Sequence, residues 1–363
     1  MVGVRIICAD VLDGLRGLAD ESVQCVVTSP PYWGLRDYGV AGQLGLEKTP
    51  EEYVARMVAV FAQVRRVLRK DGTLWLNMGD CYSGAPPGNA RPDHSGPRLT
   101  GTRGEQASTR ARAVRALRDF GEDLKPKDLV GIPWRLAFAL QADGWWLRSD
   151  IVWHKPNPMP ESATDRPTKA HEYVFLMAKA ERYYYDAGAI RTPFSAETKQ
   201  QSFDTMDFQR RVKYANGAPS AHRNDKQRGH GRRHAGFDDR WDAMTKDEQT
   251  RNGANARSVW TIATQPYSEA HFATFPEELP RRCILAGCPA GGTVLDPFGG
   301  AGTTGLVAAR LGRDAIVIEL NPKYARMAAV RIERECPLMA TVRLEGVPPG
   351  VVVENESDAG ERA

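Results

Sequence analysis

Apolar and polar positions along this chain repeat with two periods that take turns. Arg5-Ile6-Ile7-Cys8-Ala9-Asp10 and Val23 to Val27 are short apolar runs of the kind a buried strand needs, and Val11, Leu12, Leu15 and Leu18 between them repeat as a short helix does. Thr49-Pro50-Glu51-Glu52 joins an N-cap threonine, a proline at the first helical position and a capping-box glutamate. A helix is therefore expected through Val54, Met57, Val58, Phe61, Val64 and Leu68, ended by Asp71-Gly72 and followed by a strand over Thr73 to Asn77. Leu129 to Ala142 predicts a helix. Trp146 to Trp153 and Glu172 to Met177 predict strands on either side of a proline-rich loop at 155–160. Further on, Thr293 to Asp296 reads as a strand, a glycine turn leads into a helix reaching Arg310, and Ala315 to Glu319 is the next strand. Strands and helices in this alternation predict a mostly parallel α/β sheet.

Two stretches break the pattern. Residues 84–127 are rich in Gly, Pro, Arg and Thr, and 187–258 hold few aliphatics and many Arg, Asp, Gln and Asn. The formal charge is +4, yet 84–127 carries nine Lys/Arg against five Asp/Glu and 191–258 fourteen against nine, which leaves −5 for the rest. Solvated arginine-rich loops and a polyanion-binding surface both fit that distribution. Hydrophobic residues at 42% and charged residues at 26% of 363 exclude a fibrous or wholly disordered chain. No apolar run approaches the ~18 residues of a membrane span, and the first residues lack an export peptide's apolar stretch, so a cytoplasmic location is expected. Cys8, Cys25, Cys81, Cys283, Cys288 and Cys336 include no C-x-x-C pair, and His222, His230 and His234 read as solvated, so neither a disulfide framework nor a metal site is expected.

Gly300-Ala301-Gly302-Thr303-Thr304-Gly305 satisfies G-x-G-x-x-G between a strand and a helix, and Glu319 ends the next strand nineteen residues after Gly300. Glycines let the backbone approach a ligand, a helix N-terminus attracts an anionic group, and a carboxylate accepts hydrogen bonds from ribose hydroxyls. NAD and S-adenosylmethionine both meet that description. Asp296-Pro297-Phe298 leads into the turn, and a carboxylate there repels a pyrophosphate but suits the ammonium of a methionine moiety, which favours the methyl donor.

Val26-Val27-Thr28-Ser29-Pro30-Pro31-Tyr32 is a stiff turn poor in amide donors. The Ser29 hydroxyl and the Pro30 carbonyl can accept the two N–H groups of an exocyclic amine, and Tyr32 offers a ring face to a planar base. A strand-ending loop with a packed tyrosine is the alternative for this motif alone.

Together the two motifs resemble the S-adenosylmethionine-dependent DNA amino-methyltransferases, with their Asp-Pro-Phe-x-Gly-x-Gly-Thr cofactor turn and Ser/Asp/Asn-Pro-Pro-Tyr catalytic turn. The order, catalytic turn first and cofactor turn last, is similar to the β group of that family. The resemblance implies a circularly permuted, doubly wound, mostly parallel seven-stranded sheet with a small inserted target-recognition region. It divides the chain into a catalytic half at 1–186, with a basic insert at 84–127, a recognition region at 187–258, a cofactor half at 259–344 and a flexible tail at 345–363. It implies catalytic roles for Ser29, Pro30, Pro31 and Tyr32. Cofactor contacts are implied for Asp10, His271, Thr274, Phe275, Asp296, Phe298, Gly300, Gly302, Thr303, Thr304, Glu319 and Asn321. Trp153-His154-Lys155-Pro156-Asn157 and Ala170-His171-Glu172-Tyr173 are similar to a late core motif beside the base pocket. The implied cofactor is S-adenosylmethionine, without a metal. The implied partner is double-stranded DNA, with a cognate restriction endonuclease left open.

Methylation at cytosine carbon would require a nucleophilic cysteine, and the chain has no Pro-Cys dipeptide. Cytosine N4 and adenine N6 remain, each needing base flipping. Ser at the first catalytic position leans towards cytosine in the resembled family. An RNA or protein-glutamine methyltransferase, an inactive DNA-binding homologue and an NAD-dependent oxidoreductase are the competing readings.

Overall fold

The computed structural model describes residues 1–35, 39–83, 124–192, 253–265 and 275–349. Two compact units make up the chain, Met1–Asp186 with Ser258–Ala363, and Ala187–Arg257. The first unit holds the sheet.

Nine strands are present among the described residues: β1 (Val2–Cys8), β2 (Val23–Thr28), β3 (Leu68–Met78), β4 (Trp146–His154), β5 (His171–Ala178), β6 (Val259–Thr261), β7 (Thr293–Asp296), β8 (Asp314–Glu319) and β9 (Ala340–Glu345). They form one sheet in the order β6-β4-β5-β3-β2-β7-β8-β1-β9, and only β5 runs against its neighbours. The mostly parallel α/β architecture agrees with the sequence pattern, with two strands more than the seven expected. The unexpected β6 and β9 are the sheet edges. β6 has three residues and β9 alternates between partly and fully exposed positions, so neither carries the apolar run that marks an interior strand.

The helices are α1 (Val11–Arg16), α2 (Pro50–Val67), α3 (Ile132–Ala142), α4 (Glu278–Gly287), α5 (Thr303–Arg310) and α6 (Pro322–Glu335). Successive residues of a strand face opposite sides. Val26, Leu74 and Leu76 join a core with Leu15, Met57, Phe61, Val64 and Leu136 from α1 to α3. Thr73 on the other face bonds the Gly287 carbonyl of α4. The sheet is thus covered on both sides at its centre, where Cys25, Val26 and Val27 of β2 and Leu74, Trp75, Leu76 and Met78 of β3 are buried.

Thr49 caps α2 as the sequence implied, accepting from Glu52 N at 3.1 Å, while the Glu52 carboxylate accepts from Lys48 N at 3.1 Å. Asp71-Gly72 does not separate helix from strand. Val67 passes directly into β3, and the extra residues are taken up as an irregularity between the pairs Val23↔Leu68 and Cys25↔Thr73. Helix α3 begins at Ile132 and not Leu129, because Gly131 is left-handed (φ 76°) and a proline occupies the first turn. Glu345, assigned to the tail by sequence, is the last residue of β9; it pairs with Ile7 and binds Arg5 Nε at 2.9 Å. No helix among the described residues is long and apolar enough to cross a membrane.

In parallel α/β sheets ligands bind beyond the carboxyl ends of strands where the winding reverses. Here β2 leads outwards to β3 on one side, while β7, its neighbour, leads to β8 on the other. The segments after β2 and β7 therefore flank that crevice.

Candidate active site

Ser29 directly follows β2 and Pro297 follows β7, and the register Cys25↔Val294, Val26↔Leu295 sets the two strand ends side by side. Thr28 Oγ1 donates to Asp296 Oδ1 at 2.7 Å, joining residues 268 positions apart. Asp296 Oδ1 also accepts from Phe298 N at 3.1 Å, and Oδ2 accepts from Thr304 Oγ1 at 2.7 Å. The carboxylate is 1% exposed, and burial raises its pKa while these donors oppose the rise. The sequence suggests that Asp296 faces an ammonium group. In the structure its oxygens tie the catalytic strand to the glycine turn.

In front of this clamp opens a cavity of about 900 Å³. Ser29, Pro30, Pro31 and Tyr32 line one part of it. Asp10, Phe275, Phe298, Gly300, Thr303, Glu319 and Asn321 line another. Two motifs distant in the chain thus share one cavity. Asp296, Gly302 and Thr304 stand outside the lining, and His271 and Thr274 lie outside the described residues.

On the cofactor-turn side, Gly300 is left-handed (φ 50°), and a Cβ there would meet nothing within 4 Å, so its backbone borders open space. Gly302 (φ 74°) serves packing: a Cβ would lie 2.7 Å from that of Ala328 in α6. The Glu319 carboxylate accepts from Gly300 N and Asn321 N, each at 2.8 Å. Burial pushes its pKa up to about 7, against those two amides. Asp10 caps α1 by accepting from Leu12 N at 2.9 Å. These features fit a ribose-bearing ligand with a charged tail: open backbone at a helix start, and a carboxylate within reach.

On the catalytic-turn side, Tyr53 Oη donates to the Pro31 carbonyl at 2.9 Å and Leu35 N to that of Tyr32 at 3.3 Å, which leaves the Pro30 carbonyl without a partner among the described residues. Tyr32 Oη donates to Glu172 Oε2 at 2.7 Å and receives Ser29 Oγ at 3.3 Å and Asn77 Nδ2 at 2.9 Å. Asn77 Nδ2 also reaches Glu172 Oε2 at 3.0 Å, and Lys155 Nζ forms an ion pair with Glu172 Oε1. Burial, then the Glu172 charge, push the Tyr32 phenol well above its ordinary range, so it stays protonated. A Cβ at Gly79 would lie 2.5 Å from Tyr32 Cε2, so only glycine leaves room for the ring.

Sequence reasoning quotes Lys155 and Glu172 inside a motif without a role, and passes over Asn77 as the end of a strand. The antiparallel pairing of β5 with β3, Asn77↔Val174 and Met78↔Tyr173, is what carries Glu172 to the catalytic turn. No cluster of three or more His, Cys, Asp or Glu suited to a metal occurs among the described residues.

Comparison with known proteins agrees with this arrangement. The DNA methylase family profile (N6_N4_Mtase) matches residues 23–330. Type II methyltransferase M.Cfr9I of Citrobacter freundii is 43% identical over 333 residues, covering 92% of this chain and 89% of its own. Two solved structures share the fold. PvuII DNA methyltransferase (cytosine-N4-specific) is 18% identical with a TM-score of 0.54, covering 96% of each chain. A putative DNA modification methylase of Thermus thermophilus, TTHA0409, complexed with S-adenosyl-L-methionine, is 22% identical with a TM-score of 0.50, covering 94% of this chain and 99% of its own. The chain, with its catalytic and cofactor turns on one cavity, belongs to the S-adenosylmethionine-dependent DNA amino-methyltransferases that act on N4 or N6.

Proposed function

We propose that this enzyme methylates cytosine N4 in duplex DNA, at a base turned out of the helix. The observation that carries the reading is Ser29, at the first position of the catalytic turn, opening on the same cavity as Gly300 and Glu319. S-adenosylmethionine supplies a methyl group on a positively charged sulfur, a good leaving group. The protein's task is then alignment of the nucleophile.

Ser29 Oγ and the Pro30 carbonyl accept the two N–H groups of the amine. The lone pair is thereby drawn out of conjugation with the ring and directed at the methyl. Tyr32, fixed at its hydroxyl by Glu172 and Asn77, presents its ring to the base. Glu319 accepts from the ribose hydroxyls, the open backbone at Gly300 admits the ligand, and Asp10, Phe275, Phe298, Thr303 and Asn321 complete that side of the cavity. Asp296, Gly302 and Thr304 act from behind by fixing the turn. The basic stretches 84–127 and 187–258 supply phosphate contacts, the second also reading base edges. A companion restriction endonuclease and a cytoplasmic site of action complete the proposal.

Adenine N6 is the second reading, because its amine offers the same pair of donors to Ser29 and Pro30. Mixed-sequence duplex DNA incubated with isotopically labelled S-adenosylmethionine, digested and analysed by mass spectrometry, separates the two. Labelled N4-methyl-2′-deoxycytidine is the expected nucleoside. Labelled N6-methyl-2′-deoxyadenosine would replace the proposal with the second reading.

A further inference from the structure

Transfer of a methyl group to an amine leaves one proton to be disposed of, and the cavity contains a route for it. We propose that Glu172 is the positioning residue that ends a proton path from the target amine through Ser29 Oγ and Tyr32 Oη. This path rests on the amino-methyl transfer at Ser29 proposed above, and holds for either base.

Ser29 Oγ donates to Tyr32 Oη at 3.3 Å and Tyr32 Oη to Glu172 Oε2 at 2.7 Å, so both hydroxyl protons point towards the carboxylate. Asn77 Nδ2 holds Tyr32 Oη and Glu172 Oε2 together but, as an amide, cannot accept the proton itself. The other carboxylates lining the cavity do not share this connection. Asp10 caps α1, Asp80 accepts from the backbone of Cys81, Gly131 and Ile132, Glu161 is bound to Arg166, and Glu319 accepts from Gly300 and Asn321. Glu172 and its partner Lys155 are mostly shielded, at 16% and 19% exposure, in the wall of the cavity.

The step balances as follows. The nitrogen lone pair forms the N–C bond as the S–C bond breaks, and sulfur keeps that electron pair as a thioether. One amine proton moves to Ser29 Oγ, the serine proton to Tyr32 Oη and the tyrosine proton to Glu172. The positive sulfonium and the negative carboxylate disappear together, leaving a neutral methylamine and a carboxylic acid beside Lys155. Tyr32, with its phenol held protonated by burial, conducts the proton and does not store it. The charged and titratable groups that face Glu172 are Lys155 just after β4, Lys169 and His171 on its own segment, Tyr32 from the catalytic turn, and Asp80 beside Lys169.

Single-turnover methyl transfer with saturating S-adenosylmethionine and substrate duplex tests the path in the wild type, Glu172→Gln, Glu172→Asp and Tyr32→Phe. Glu172→Gln and Tyr32→Phe should each slow transfer by about 10²-fold, the scale of general-base catalysis, with partial recovery in Glu172→Asp. Cofactor affinity, melting temperature and the fluorescence of 2-aminopurine placed beside the target, which reports base flipping, should stay near wild type in Glu172→Gln. Transfer within twofold of wild type in Glu172→Gln would overturn the path. So would loss of flipping or of folding in parallel with the rate, which would mark a purely structural role. A wild type that labels no amine overturns the underlying reading, an outcome distinct from normal labelling by Glu172→Gln.

Discussion

On the proposed reading, Glu319 couples cofactor recognition to pH. Its folded pKa of about 7 lies above the 4.5 of a free glutamate because burial penalises the charge more than two backbone amides offset it. The sign follows directly. The carboxyl sits in the folded protein without penalty below pH 4.5, and its contribution to stability is lost as pH rises through 7. Above that, the unliganded protein carries a strain that hydroxyl donors from a ribose relieve. Calorimetry should therefore find S-adenosylmethionine affinity decreasing by up to about tenfold per pH unit below about 7. Glu319→Gln should bind weakly at all pH values with no such slope; a slope that persists would assign it to another group. Gly79 offers a second test at this scale. Gly79→Ala places a methyl 2.5 Å from Tyr32 Cε2 and should displace the ring by a fraction of an ångström. We expect methyl transfer to drop by about 10-fold to 10²-fold with cofactor affinity near wild type, since small misplacements of aligned groups are costly. The place of Ser29 and Tyr32 on the cavity is readable from the sequence because they lie in one contiguous motif. That of Asn77 and Glu172 is not, since they are 95 positions apart and their meeting depends on strand register.

At the level of elements, local signals carry furthest where they are self-contained. Thr49-Pro50-Glu51-Glu52 marks the start of α2, and its cap forms as the pattern implies. Thr49→Ala should cost about 1 kcal/mol in urea unfolding and leave kcat unchanged, as the cap lies away from the cavity. Local reasoning fails at Asp71-Gly72, where pairing with β2 overrides a turn signal and keeps the strand continuous. It also misses β6 and β9, a three-residue strand and a half-exposed one, and passes over α4 and α6, although both are amphipathic and Asn321-Pro322 offers the same cap-and-proline start as Thr49-Pro50. The link between β2 and α5 is a tertiary matter altogether. Asp296→Ala leaves the buried hydroxyl of Thr28 without its acceptor, at a cost of about 1–3 kcal/mol for a buried group left unpaired, and leaves Thr304 only its longer bond, 3.3 Å to the Val27 carbonyl. Because the clamp serves both motifs, that variant should lose cofactor affinity and methyl transfer together, whereas Ser29→Ala should lose transfer alone. Retention of wild-type transfer by Asp296→Ala would refute the clamp.

Considered whole, the molecule joins β1 and β9, from opposite ends of the described chain, in one sheet. A ligand bound at the crevice touches segments after β1, β2, β7 and β8, so S-adenosylmethionine at about 100 times its Kd should stabilise the fold by about 2.7 kcal/mol, seen as a higher Tm. NAD should leave Tm unchanged. The mostly parallel winding is predictable from alternating periods. The strand order is not, because nothing in a linear pattern states that β1 lies between β8 and β9. That placement has a bearing on biosynthesis. β1 is translated ahead of both its neighbours and waits, with both hydrogen-bonding edges vacant, until residues 314–345 have left the ribosome. A premature stop before β9 would leave β1 as the outer strand of the sheet, with one row of backbone hydrogen-bonding groups open to pairing with another chain.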